Sequence, residues 1–495
     1  MVGGNSVENR LLYNPTSPIS IEAFAKKLIG KTFLDVVNTS TASKEAIASY
    51  SNYQRKGGLG NLLEELYFGY DANSESSADF KEAGVELKAS PYEKRKDGTL
   101  RAGERLVLTM ISYKDPVEPD FYTSHLWEKS KLLLLIYYWR NKELESNLLY
   151  RINYVKLFTP SKTDLIIIEQ DYKVIIGKIE EGKAHELSES DTLYLGACTK
   201  GATAEKSTVP QYYPPHLLAR RRAFCYKQSY MSYVLNQYLV ADINTYEPII
   251  KDGDLLGYSF GEYITGKINQ YAGLTDYDLC VRFGRVYNNN KAQWSDLSYR
   301  MLGIKSNKAQ EFVKANIVVK AIRLEESGKM RESSPLPTIS FKELIQEEWE
   351  NSSLYNYFEE TKFLFVVFRK YNDRYILMGS QLWNMPYYDL NEVVYSGWKK
   401  VKDIATKGIE LRKTHTKAGV VIKNNLPSKS ENPIIHIRPH TSKTFYKLKS
   451  GEIIGDGNYS NGDELPDGQW MTKQSFWLNN SYVVSQLNKE LTRNI

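Results

Sequence analysis

Apolar positions in this chain recur first at helical spacing and then at strand spacing. In residues 21–28 (IEAFAKKL) they fall at helical intervals, and Leu59, Leu62, Leu63 and Leu66 line one side of a second segment, 59–68. A polar stretch, 71–78, follows. Residues 85–89 then alternate apolar and charged side chains, as a half-buried strand does. Residues 104–113 (ERLVLTMISY) predict another strand, and 132–138 (LLLLIYY) a third, buried one. A Lys-Asp-Gly turn ending at Gly98 separates the first two in the manner of a hairpin. Further helices are expected near 217–238, and 241–257, with Pro248 and an Asp-Gly-Asp turn at Gly253, reads as a linker.

Beyond the linker the pattern starts again. DFKEAGVELKAS at 79–90 is echoed by EFVKANIVVKAI at 311–322, an offset of 232. AFCYKQSY at 223–230 is echoed by WMTKQSF at 470–476, and YLGACTK at 194–200 more loosely by HIRPHTSK at 436–443. Matches in the same order predict an internal duplication. The expected organisation is a first domain, 1–240, the linker, and a second domain, 258–495.

Composition narrows the classes. The chain has 495 residues, 42% of them hydrophobic and 25% charged, which suits a folded protein of two or three domains. Its 65 Lys+Arg against 59 Asp+Glu leave a formal charge of +6, which permits a nucleic-acid partner without requiring one. Cys198, Cys225 and Cys280 lie far apart with no CxxC pair, so neither a disulfide framework nor a cysteine zinc site is expected. The first 20 residues are polar and suggest no signal peptide, and LLLLIYY is too short to span a bilayer. These features predict a cytoplasmic protein without a membrane partner.

The candidate chemistry lies in Asp79 and Glu86-Leu87-Lys88. On a strand, Glu86 and Lys88 project to one face while Val85 and Leu87 project to the core. Two converging carboxylates, Asp79 and Glu86, can hold a hard cation such as Mg²⁺ through oxygen. Such a cation activates water and neutralises charge on a phosphoryl group, and Lys88 adds a point charge for the developing oxyanion. In a chain this charged, an Asp and a Glu-x-Lys alone more often describe a solvated strand face. The context is more specific. KGGLGNLLEELYFG places Lys56 before a glycine-rich helix entry and Glu64 inside the helix, and Thr123-Ser124-His125 is followed by Lys129.

Together these elements resemble the MutH family: the strand-nicking nuclease of mismatch repair and the GATC-cutting type II restriction enzymes related to it. The matching residues are Lys56, Glu64, Asp79-Phe80, Gly84-Val85-Glu86-Leu87-Lys88, Thr123-Ser124-His125 and Lys129. The resemblance implies metal binding by Asp79 and Glu86 with Glu64 nearby, catalysis by Lys88, and supporting roles for Lys56 and Lys129. It implies a mixed α/β fold of two tandem restriction-endonuclease-like domains, each a mixed sheet flanked by helices.

The second half resembles the family as well. Ile437-Arg438-Pro439 is similar to its recognition loop, and Lys473-Gln474-Ser475-Phe476 to the entry of its last helix. The first half has Leu195-Gly196-Ala197-Cys198-Thr199-Lys200 without the Arg-Pro pair, leaving Lys200, Tyr226 and Lys227 as candidates for base contact, phosphate contact or plain surface. Aligned on the repeat, Glu311 matches Asp79, Val318 matches Glu86, Lys320 matches Lys88, and Ser298 matches Glu64 if Gly303 is set against Gly69. The second copy is therefore not expected to hold the cation. It retains Arg438, His440, Lys443 and Lys473 for DNA and is expected to act as an effector domain. The predicted function is a Mg²⁺-dependent type II restriction endonuclease for double-stranded DNA at GATC. It would bind two sites at once, with DNA-dependent self-association open. The alternatives are a mismatch-repair-type nickase and a non-catalytic DNA-binding regulator.

Overall fold

Strand Glu86–Lys94 runs parallel to Leu133–Trp139, with Glu86 opposite Leu133 and Lys88 opposite Leu135. In the computed structural model, which describes residues 12–40, 58–70, 77–95, 98–141, 143–200, 207–240, 246–251, 255, 257–288, 290–416 and 419–493, this parallel pair is the centre of a four-stranded sheet. Leu100–Ala102 flanks it on one side and Arg151–Phe158 on the other, both antiparallel. Residues Leu133 to Tyr137 are all fully buried, which explains why this strand is a continuous apolar run rather than an alternating one. Helices Pro18–Ala25 and Phe33–Thr39 and the helical segment from Gly58 to Phe68 share one core with Val85, Leu87, Leu134 and Ile136.

A second sheet, in the order Leu106–Met110, Arg222–Tyr226, Leu195–Thr199, is antiparallel. The long helix Lys162–Glu180 packs against Leu195–Thr199. Its buried Asp171 accepts the amides of Leu193, Tyr194 and Leu195 at 2.6–2.9 Å, fixing where that strand begins. Burial pushes the Asp171 carboxyl up to about 6 against the pull of those amides and of Lys227.

The chain separates into two units, Met1–Gly253 with Gln310–Asn316, and Asp254–Ala309 with Ile317–Ile495. The second repeats the connectivity of the first. Ile317–Leu324 runs parallel to Lys362–Tyr371, which pairs antiparallel with Arg374–Trp383. A separate antiparallel sheet has the order Ser334–Thr338, Gln474–Leu478, Ile435–Pro439. In both units the helix before the parallel pair stops at a left-handed glycine, Gly69 at φ 76° and Gly303 at φ 76°. The fold is thus mixed α/β in two related units, as the sequence pattern anticipates.

Several local expectations are corrected. Gly98 does turn a hairpin, but its second arm is Leu100–Ala102. The strand expected over 104–113 is Leu106–Met110 and belongs to the other sheet. Residues expected as helix near 217–226 form the strands Leu218–Arg220 and Arg222–Tyr226, and the helix is Gln228–Val234. Gln474–Leu478, expected as a helix entry, is likewise a strand.

The link between the halves is not plain loop either. Ile249 and Ile250 are buried, and their amides donate to the Glu311 carboxylate at 2.9 and 3.1 Å. Three residues on, Lys314 Nζ meets Asp164 Oδ1 at 2.6 Å, both side chains 2% exposed or less. Helix Gln310–Ala315 is therefore built into the first unit although the chain on both sides of it belongs to the second.

Candidate active site

Phe80 and Val85 form an isolated antiparallel bridge, with the Phe80 amide on the Val85 carbonyl at 2.9 Å. Gly84 closes the turn at φ +62°, where an added Cβ would also lie 3.4 Å from the Lys131 side chain. The turn folds Asp79 back beside the strand, where its Oδ2 accepts the Leu87 amide at 2.8 Å. Val85 and Leu87 enter the core, and Glu86 and Lys88 take the other face, as the alternation predicts.

Glu86 is 3% exposed. Its Oε1 receives Lys88 Nζ at 2.8 Å and faces Lys129 Nζ at 3.6 Å. Its Oε2 is buried with no hydrogen-bond partner among the described residues. Lys129 sits on the short helix His125–Ser130, whose N-cap Ser124 accepts the Trp127 amide at 3.2 Å. The Thr-Ser-His element is thus a helix cap that aims Lys129, while His125 pairs with Glu118.

Glu64 lies in a wide turn, Leu63–Phe68, that follows helix Gly58–Leu62, a π-type turn of the kind that recurs at functional sites. Burial, then the charges of Asp79 and Glu86, push its carboxyl up to about 7, with Lys88 opposing. Asp79 is pushed up to about 6 by burial and then by Glu86, with the Leu87 amide opposing. Tyr70, not anticipated from sequence, places a buried hydroxyl without a hydrogen-bond partner beside these groups, and burial followed by the charges of Asp79 and Glu64 raises its pKa. Its signal in the sequence is only its place directly after the helix-ending Gly69.

Three carboxylates that repel one another under burial, one with an orphaned oxygen, fit a divalent cation chemically. Among the described residues no three such groups converge into a ready-made cage. Lys56 lies outside the described residues.

The expected DNA-reading residues of the first unit divide. Lys200 is partly buried at the end of strand Leu195–Thr199, its amide on the Arg221 carbonyl. Tyr226 is fully buried, and Lys227 is 2% exposed with its ammonium on the Thr192 carbonyl at 2.6 Å. Both belong to the interior in this structure. Leu195 pairs with Tyr226 as Ile435 pairs with Leu478, which sets Cys198 opposite Arg438 and Lys227 opposite Asn479 in the two units. The shared Lys-Gln-Ser string is therefore out of register. Lys473 corresponds instead to exposed Arg221, a residue the sequence comparison missed.

In the second unit the guanidinium of exposed Arg438 lies 4.3 Å from the Trp477 ring centre. His440 meets the Ser475 hydroxyl at 3.1 Å, Lys443 is exposed, and Lys473 is partly buried. Glu311 does not occupy the place of Asp79, being committed to the amides of Ile249 and Ile250. Val318 stands for Glu86, and Ser298 donates to the Trp294 carbonyl.

Comparison with known proteins agrees with this geometry. The family described as DNA mismatch repair enzyme MutH matches residues 68–171, a span holding Asp79, Glu86, Lys88 and Lys129. The type II restriction enzyme Sau3AI of Staphylococcus aureus is 34% identical over 493 residues, covering 94% of this chain and 96% of that protein.

Proposed function

The chain belongs to the family of type II restriction enzymes that includes Sau3AI, and from that premise we propose that its first unit hydrolyses phosphodiester bonds in double-stranded DNA at GATC with Mg²⁺. The observation that carries the reading is Glu86. It is a buried carboxylate with one oxygen on Lys88 and the other orphaned, and the repulsion that raises Asp79 comes largely from it.

Asp79 and Glu86 would hold the ion, with Glu64 behind them. When bound, it neutralises phosphoryl charge and acidifies water. The residues prepare that site in three ways. The Leu87 amide fixes Asp79 in orientation. Lys88 and Lys129 set two ammonium groups against the buried Glu86 carboxylate, at 2.8 and 3.6 Å. Lys88 also brings a positive charge to the place where negative charge develops on the phosphoryl oxygens.

The second unit lacks the carboxylates and keeps an exposed Arg438 on its second sheet, with exposed Lys443 in the loop that follows. We assign it to binding another copy of the site and favouring the cleavage-competent state of the first. Differential affinity is the thermodynamic route by which it can do so. Such an enzyme works on DNA in the cytoplasm.

The test is cleavage of plasmids with one or several GATC sites by the pure protein in Mg²⁺. Double-strand breaks, faster with several sites and accelerated in trans by a short GATC duplex, are expected. Nicks alone would favour a repair-type nickase, and no cleavage a regulator. Equal rates without rescue would reduce the second unit to scaffold.

A further inference from the structure

The second unit has an open cleft of about 790 Å³ along strand Ile317–Leu324. Lys291, Lys320, Arg323, Arg331 and Arg438 line it, against the acids Glu325 and Glu332. Lys320 is the counterpart of Lys88, lying two residues after Val318 on the strand that runs parallel to Lys362–Tyr371. Lys88 has Glu86 at 2.8 Å. With valine in that place, Lys320 is left without a hydrogen bond or ion pair among the described residues. Burial and the nearby charge of Lys291 lower its pKa.

Lys291, which is exposed, lines the same cleft. It is the first residue of the twelve-residue helix Lys291–Leu302, whose N-terminus carries partial positive charge and disfavours a cation. Two guanidinium groups are held at the rim by stacking, Arg323 at 5.4 Å from the Trp294 ring centre and Arg438 at 4.3 Å from that of Trp477. A partly buried ammonium without a counter-ion, a second ammonium at a helix N-terminus and an excess of cations around one cavity all call for a multiply bonded anion.

We propose that this cavity is a metal-independent phosphodiester site, in which Lys320 and Lys291 hold a backbone phosphate of the effector duplex where the first unit uses carboxylates and a divalent ion. The inference rests on the reading of the second unit as a DNA-binding effector. It accounts for loss of the carboxylates together with retention of the lysine: Val318 removes the negative charge that would otherwise neutralise Lys320 and repel phosphate.

The experiment follows lysine acylation by mass spectrometry on the full-length protein in EDTA, with a short GATC duplex and, separately, inorganic phosphate as probes. The duplex is expected to slow acylation of Lys320 and Lys291 at least tenfold without any divalent ion. In Lys320→Met, the salt dependence of duplex protection read at Lys291 should become shallower by about 0.9 in log–log slope, the value for one lost phosphate contact, and Lys320→Arg should restore it. Protection that appears only with Mg²⁺, or is given by inorganic phosphate and not by the duplex, would overturn the proposal. Lys320 left reactive while Arg438→Ala still weakens stimulation in trans would overturn it and leave the effector reading standing. If Arg438→Ala also has no effect, both fall.

Discussion

The Asp79 carboxylate accepts the amide of Leu87 at 2.8 Å, so the turn that carries one of the carboxylates proposed to hold the metal is pinned to the strand that carries the other. Asp79 therefore has two separable roles. Asp79→Asn keeps an acceptor for the amide and should fold normally while cleavage falls by a factor on the order of 10³. Asp79→Ala should lose cleavage equally and, lacking the acceptor for the Leu87 amide, should be less stable than Asp79→Asn by roughly 1 kcal/mol, the cost of an unmade backbone hydrogen bond. Thermal melts and single-turnover cleavage of both variants check this. Near-wild-type cleavage by either would remove Asp79 from the metal site.

Glu64 and Asp79 titrate near 7 and near 6 in the metal-free protein, above ordinary carboxylates. The folded state thus holds protons that the unfolded chain releases, and metal-free stability falls as pH rises from about 4 to about 7. Mg²⁺ relieves the repulsion only where the carboxylates are ionised. It should raise the melting temperature at pH 8 by a few degrees more than at pH 5.5. In Glu64→Gln the metal-free protein should be more stable at pH 8 by about 1 kcal/mol. A Mg²⁺ shift independent of pH would contradict the electrostatic account.

Lys88 touches Glu86 and is not itself an oxygen ligand. Lys88→Ala should slow single-turnover cleavage at least 100-fold while Mg²⁺ affinity stays within a few-fold, since Lys129 still faces Glu86. Collapse of Mg²⁺ affinity along with the rate, measured by calorimetry, would show instead that Lys88 chiefly organises the carboxylate.

The strand proposed to carry the catalytic groups is legible in the sequence because its pattern is local. Val85 and Leu87 alternate with Glu86 and Lys88, and that alternation alone assigns the two faces. LLLLIYY was legible for the same reason. The recognition sheet was not. Whether Lys227 reaches DNA or the Thr192 carbonyl depends on a partner 35 positions away in sequence, and the repeated Lys-Gln-Ser string aligned residues that the strand register separates. Glu311 matched Asp79 in the repeat, yet its carboxylate is spent on Ile249 and Ile250, a contact no pattern announces. Glu64 was placed on a helix correctly, but the wide turn that carries it depends on tertiary packing.

The buried pair Lys314 and Asp164 gives a stability prediction that leaves the catalytic groups alone. Lys314→Met strands a buried carboxylate that, among the described residues, keeps only the Tyr230 hydroxyl as a donor, and should cost about 3–5 kcal/mol. Adding Asp164→Asn removes the stranded charge and should recover much of the loss. Denaturant melts of the single and double variants decide it, and a single variant within 1 kcal/mol of wild type would mean the pair is solvated.

Glu86 is the residue on which the account turns, and the direct measurement is cleavage of a GATC plasmid by Glu86→Gln alongside its binding to a GATC duplex in Ca²⁺. The substitution keeps the size of the side chain and removes the negative charge that would hold the ion. Binding within a few-fold of wild type with single-turnover cleavage lowered by a factor on the order of 10³ or more is the predicted result. Cleavage within tenfold of wild type, with Mg²⁺ still required, would place the catalytic metal elsewhere and contradict the assignment of the first unit's active site.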